Sequence, residues 1–353
     1  MTPMTTGLWM FRRHRPAAVL VVLVVTAVAM AGCTGREESR SPSPTASPTA
    51  TATASVTPTP DTVSVPGGEK PPTVFDDDCE RMISPTAVAD VIGFPVTVRN
   101  EGTATAVANL GGLGCTWEGE GGIIRAAAMP QAALGETEFP ADQIPYYFEE
   151  CDPGWVCGWR GEGERLWTAV SFQLWSGMTR EAVDAWGQEI GAAITAAFGV
   201  TAYPSWERED AEWWPVLDCA RVAERLSTEL GTSVTGEAGG YHDPPAPEVL
   251  LAAEASHESQ CYLTFGPQQP PVEVLTAGGQ AWAVPFFESD QPYDVGVDGI
   301  TAYGNSGYDS IDSSAYSLTD GVNAATVYLR TQDELPSDEI LRGLAVIAAE
   351  GWR

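Results

Sequence analysis

Cys79-Glu80-Arg81-Met82-Ile83-Ser84-Pro85-Thr86-Ala87-Val88-Ala89-Asp90-Val91-Ile92-Gly93 and Cys219-Ala220-Arg221-Val222-Ala223-Glu224-Arg225-Leu226-Ser227-Thr228-Glu229-Leu230-Gly231 are two writings of one pattern. Each is a short helix bracketed by a cysteine and a glycine. Ser84 is suited to the N-cap, Pro85 to the first helical turn and Gly93 to the left-handed position that ends a helix. The chain therefore reads as one unit repeated.

The segments C-terminal to the two helices repeat as well. An extended piece comes next, Pro95-Val96-Thr97-Val98 in the first copy and Ser233-Val234-Thr235-Gly236 in the second. A second cysteine then opens a strand, Cys115-Thr116-Trp117 and Cys261-Tyr262-Leu263. Closing strands are expected at Ala169-Val170-Ser171-Phe172-Gln173-Leu174-Trp175 and Ala324-Ala325-Thr326-Val327-Tyr328-Leu329-Arg330. Amphipathic helices come after these, with Val183, Trp186, Ile190, Ile194 and Ala197 on one face of the first and Ile340, Leu341, Leu344 and Ile347 on one face of the second. The predicted fold is α+β: two tandem related domains, each an antiparallel sheet with helices packed on one face, held by disulfides. The boundaries read as 74–202 and 216–353. Between them the connector 203–215 carries Trp206, Trp213 and Trp214, enough aromatic surface for the copies to pack against each other there.

Six cysteines allow fifteen pairings, and the duplication selects one. It pairs Cys79 with Cys115 and Cys219 with Cys261, leaving Cys151 for Cys157. The spacing of that short pair is not the Cys-x-x-Cys of thiol oxidoreductases, so a structural bridge is expected rather than a redox centre. Even cysteine numbers fit an oxidising compartment.

The seventh cysteine carries the address. Arg12, Arg13, His14 and Arg15 precede an uncharged apolar run from Ala17 to Ala31, the order of a secretory signal, here 1–32. At 15 residues the run is shorter than the roughly 20 that span a bilayer. Met30-Ala31-Gly32-Cys33 resembles a bacterial lipobox, whose cysteine is acylated and becomes the new N-terminus; Met30 departs from the usual leucine. The segment 33–73 is rich in Ser, Thr and Pro, as in Ser41-Pro42-Ser43-Pro44-Thr45, and lacks aromatic residues, so it is expected to be a disordered tether. The expected location is the outer face of the cell membrane.

Taken together, Cys79, Gly93, Cys115 and Trp117, behind a lipobox and a Thr/Pro-rich tether, resemble the actinobacterial envelope lipoproteins whose shared domain has no assigned function. In the second copy Leu263 stands where the tryptophan would be. The resemblance implies an envelope address and a small α+β domain, with no activity attached.

Composition narrows the function classes. A formal net charge of −30, from 48 acids against 18 bases, repels phosphate backbones and anionic headgroups, which argues against nucleic acid as a partner. Metal ligation is poorly supported, because His242 and His257 show no ligand spacing; no cofactor motif is present. No Gly-x-Ser-x-Gly elbow is found either. The most suggestive segment is an aromatic-rich insertion of the first copy, where Tyr146, Tyr147, Trp155 and Trp159 surround the Cys151 and Cys157 pair. These four residues are the candidate contact surface for an envelope protein or glycan; the competing reading folds them back over the sheet. The expected function is a non-catalytic binding or scaffolding module, tethered through Cys33. The alternative is an extracellular carboxylate-dependent hydrolase such as a glycosidase.

Overall fold

Two antiparallel sheets with the same strand order organise the chain. The computed structural model describes residues 62–353, apart from 100–102, 150, 152–155, 175, 177, 202, 241–244, 267–270, 288–291, 293, 311–312 and 331–336. The chain enters through β1 (Val63–Val65) and then forms α1 (Cys79–Met82), α2 (Pro85–Ile92), β2 (Thr97–Arg99), α3 (Thr105–Asn109), β3 (Leu113–Gly119) and β4 (Gly122–Pro130). It continues with α4 (Gln131–Leu134), β5 (Cys157–Glu162), β6 (Leu166–Leu174) and the long α5 (Arg180–Val200). After β7 (Trp206–Arg208) come α6 (Cys219–Leu230), β8 (Thr235–Ala238), α7 (Pro247–Ala255), β9 (Ser259–Thr264) and β10 (Val272–Ala277). The second half ends with β11 (Thr301–Ser310), β12 (Ser313–Thr319), β13 (Ala324–Arg330) and α8 (Ser337–Ala349).

The first sheet runs β2-β3-β4-β6-β5 and the second β8-β9-β10-β13-β12-β11. Strand for strand these orders coincide, and β11 is an extra edge in the second half. Registers agree too: Cys115 lies opposite Ala126, and Cys261 opposite Val274. Ala126 in turn faces Val170, as Val274 faces Val327. All three cysteine pairs are bridged, with Cα–Cα distances of 5.7 Å for Cys79–Cys115, 5.0 Å for Cys151–Cys157 and 5.5 Å for Cys219–Cys261.

Local chemistry explains the helices that open each half. The Ala87 amide donates to Ser84 Oγ at 3.2 Å, and Gly93 ends α2 at φ 85°. The Arg221 amide donates to Asp218 Oδ1 at 3.2 Å, and Gly231 ends α6 at φ 65°. Extended Ile83 breaks the first copy into α1 and α2, whereas the second runs through.

One face of each sheet builds a core. In the first half Trp117, Ile124, Val170 and Phe172 meet Met82 of α1, Val88 of α2 and Val183, Ile190 and Ile194 of α5. In the second, Leu263, Val274 and Val327 meet Leu226 of α6 and Ile340, Leu344 and Ile347 of α8. Period-two alternation then sends Met129, Trp167 and Ala169 to the opposite face of the first sheet. There they are covered by α3, by Leu134 of α4, and by Leu251 and Ala252 of α7 from the second half.

Helices α3 and α7 occupy equivalent places and pack on one another. Both end in a tight left-handed turn, at Gly111 (φ 68°) and His257 (φ 55°), each followed by an amide that reaches back five residues: Gly112 to the Val107 carbonyl, Glu258 to that of Ala253. All described residues thus belong to one compact unit, which also includes the connector.

One expectation is corrected. The stretch 62–73, assigned from its composition to a disordered tether, is built into the body. Val63–Val65 pairs in parallel with Trp206–Arg208, Val65 and Thr73 are buried, and Lys70 pairs with Asp77 at 2.9 Å. The reason is that Val63 and Val65 alternate as strand residues beside a connector that supplies a partner strand. The remainder of the tether, and Cys33 with it, lies outside the described residues.

Candidate functional site

The described part of the aromatic insertion packs inward at Tyr147. Tyr147, on the helical turn Pro145–Glu149, is 2% exposed, and its hydroxyl donates to the Pro245 carbonyl of the second half. Burial above all, then the neighbouring Tyr146 and Glu248, raises its pKa well beyond the ordinary phenol value. Tyr146 stands edge-on to it, at 5.0 Å between ring centroids. Trp159 of β5 lies against Gly187 and Gly191 of α5, where a side chain would collide with its ring. Arg180 donates to the Phe148 carbonyl at 2.8 Å and to Cys157 Sγ at 3.3 Å, which fixes the short disulfide beneath α5.

Tyr147 is therefore a packing residue, not a member of an exposed contact surface, whereas Trp159 is half-buried against α5. Tyr146 is half-buried beside them, and Trp155 lies outside the described residues. The physical cause is the uncovered sheet face: Trp167 and Met129 need apolar partners, and the insertion supplies Tyr147 and Phe148 beside Phe139.

The connector organises the junction of the halves through Arg208, which sequence reasoning missed. Its Nη1 donates to the backbone carbonyl of Asn109 and, at 2.8 Å, to Asn109 Oδ1. Its Nη2 donates to the carbonyls of Gly67 (3.0 Å), Glu69 (2.8 Å) and Gly279. The guanidinium also lies over the Trp213 ring, 5.3 Å from its centroid. Burial lowers the Arg208 pKa to about 10, still far above neutrality, so the cation persists. Asn109, fully buried, completes the joint by donating to the Gly278 carbonyl at 2.8 Å and accepting from Trp282 Nε1 at 3.0 Å. One cation thus holds the incoming chain, the first half and the second half together.

Two clefts open on either side of α4 and of the β5–β6 hairpin tip. The first, about 460 Å³, is walled by Tyr203, Pro204, Ser205 and Trp206 of the connector, faced by Pro130, Ala132 and Ala133 and by Phe198 of α5. Glu164 and Arg165 edge it; Arg165 is exposed and sits 4.9 Å over the Phe198 ring. Tyr203 donates to the Pro72 carbonyl at 2.9 Å and accepts from Trp206 Nε1 at 2.5 Å, so the aromatic wall is held rigidly. Burial, the larger effect, raises the Tyr203 pKa to about 12 against the opposing hydrogen bond from Trp206. The second cleft, about 470 Å³, is more polar, with Glu136, Glu138, Arg160 and Glu162 around Phe139 and Trp167. Arg160 there faces the rings of Phe139 and Phe148 and pairs with Glu162 at 3.5 Å.

Among the described residues no group of three or more His, Cys, Asp or Glu side chains is arranged to hold a metal ion. The carboxyl with a resolved shift, Glu248, is buried between the halves rather than set in a cleft. Burial raises its pKa, against its own backbone amide and Arg125, which lower it. The clefts themselves were not visible in sequence, because their walls come from three segments far apart along the chain. A pointer did exist in Tyr203-Pro204-Ser205-Trp206, aromatic residues flanking a proline just after a helix. Comparison with known protein families, with curated proteins and with solved structures found no match for this chain.

Proposed function

We propose that this chain is a binding module held on the outer face of a bacterial membrane by a lipid on Cys33, and that its ligand enters the cleft between Tyr203–Trp206 and α4. The observation that carries this reading is the cleft: an aromatic and proline-lined wall, rigidly hydrogen-bonded, with a single exposed cation at its edge. Apolar lining with few polar groups is the composition of a binding site. Arg165 and the adjacent Glu164 favour a polar group at the edge, and Phe198, Tyr203 and Trp206 a flat or ring-like apolar one. The three disulfides support residence in an oxidising compartment. The signal-like N-terminus and the resemblance to actinobacterial envelope lipoproteins support the same address, and the matched strand orders support descent of the two halves from one duplicated domain.

Two substitutions test the site without touching the core. Ala132→Trp fills the cleft from the exposed side of α4, and Arg165→Glu reverses its charge. Membranes bearing the full lipoprotein are used to capture the ligand, and its retention is compared across the variants. Each variant is expected to lower retention by about tenfold or more, the loss typical of a central contact. Undiminished retention by both variants would place the ligand elsewhere. The address is tested separately: Cys33→Ala moves the protein from the membrane fraction to the medium if the lipid is its anchor.

A further inference from the structure

The chain arrives at the body through β1, and the pairing of β1 sets where the preceding residues run. Val63, Ser64 and Val65 pair in parallel with Trp206, Glu207 and Arg208, and the Val63 amide donates to the Ser205 carbonyl at 2.9 Å. A parallel ladder advances residue for residue. Carried back by one residue, this register sets Thr62 against Ser205, with Pro204 and Tyr203 next along the connector. Tyr203, Pro204, Ser205 and Trp206 are the wall of the 460 Å³ cleft. The surface next in line for the incoming segment is therefore the cleft itself.

The incoming segment has matching chemistry. Thr57-Pro58-Thr59-Pro60 carries proline at every second position, which fixes φ near the polyproline II value and reduces the entropy lost on docking. Such strands are bound by grooves lined with aromatic rings. Asp61 follows in sequence with a carboxylate, and the edge of the cleft exposes the cation of Arg165 beside Glu164.

We propose that the cleft is occupied at rest by this chain's own Pro58-Thr59-Pro60 segment, so that an outside ligand has to displace it. The proposal rests on the reading of this cleft as the binding site and adds its regulation. Linkage makes the contact intramolecular, so a weak interaction is enough to fill the site.

The test uses the full mature chain with Cys33→Ala. Thr59 is replaced by the photo-reactive p-benzoylphenylalanine in one protein and Thr49 in another, and adducts are mapped after illumination. The Thr59 probe is expected to join peptides containing Tyr203–Trp206 or Ala132–Ala133, about tenfold more than the Thr49 probe does. Replacing Pro58 and Pro60 together by glycine in the Thr59-probe protein is expected to cut that yield several-fold. Equal yields from the two positions, or adducts confined to other surfaces, overturn the proposal. If they do so while Ala132→Trp and Arg165→Glu still release a captured ligand, resting occupancy fails and the binding reading stands.

Discussion

Arg208 shows how one side chain is committed to a joint. The four hydrogens of its Nη1 and Nη2 are shared among five acceptors, four backbone carbonyls and Asn109 Oδ1, with no carboxylate among them. A guanidinium serves here because its planar fork reaches several acceptors at fixed angles, which a lysine ammonium does not. Arg208→Met is expected to lower the stability of the whole chain by about 3 kcal/mol, since buried carbonyls lose charged partners. Arg208→Lys should recover less than half of that, and urea unfolding of the three proteins measures both. In sequence, Arg208 stands between Glu207 and Glu209 and looks like any surface arginine. The capping residues, by contrast, were legible, because Ser84, Gly93 and Gly231 act on backbone groups within a few residues of themselves. The partners of Arg208 lie at Gly67, Asn109 and Gly279, and separation of that kind leaves no local trace.

Helix α5 carries its information in what it lacks. Gly187 and Gly191 form a flat track for Trp159, while Gly199, near the end of the same helix, faces open space. Alanine favours a helix over glycine by about 1 kcal/mol, so Gly199→Ala is expected to stabilise by up to that amount. Gly187→Ala gains the same propensity but drives a methyl into the indole, and a net loss of about 1–3 kcal/mol is expected. Thermal unfolding of the two variants should therefore move in opposite directions. Helix α7 carries a proton-linked element. Because the pKa of Glu248 is raised, the native state holds its proton more tightly than the unfolded chain does. That stabilisation is complete below the ordinary carboxyl pKa and is lost as pH rises through the folded value. Glu248→Gln should thus gain stability relative to wild type as pH rises from about 4 to about 8, read from urea midpoints. The long amphipathic α5 and α8 were readable from their periodicity. Helix α7 was not recognised, although Pro247 and Glu248 are first-turn residues, because the helix is apolar on more than one side. For the aromatic insertion the sequence left an exposed and a fold-back reading open, and the burial of Tyr147 follows the second; nothing near Tyr147 in sequence reports that Trp167 and Met129 lack cover.

At the scale of the molecule, the halves meet through equivalent elements, α3 on α7, as the subunits of a symmetric dimer do. Leu251 and Ala252 complete a core that otherwise belongs to the first half. A single cooperative thermal transition is therefore expected for the full chain, with calorimetric and van't Hoff enthalpies in agreement. Leu251→Asp places a charge in that shared core and is expected to cost about 3 kcal/mol or more. It should also split the transition in two, which differential scanning calorimetry resolves. Repetition made the two-sheet architecture legible, because each feature in one half was checked by its counterpart in the other. The connector's place at the junction was legible from Trp206, Trp213 and Trp214, but the α3–α7 contact was not, since only its α7 side shows a run of apolar residues and that run is explained equally well by an internal core.

The entry of the chain through β1 also has a mechanical meaning. A load applied through the N-terminal segment along the axis of β1 pulls it lengthwise past β7, so the hydrogen bonds of the pair resist together instead of parting one by one. Just behind them, Arg208 grips the Gly67 and Glu69 carbonyls, the next points to take up tension. Such a load would thus be borne at the seam of the two halves before it reached either sheet, ahead of both disulfide-bonded cores.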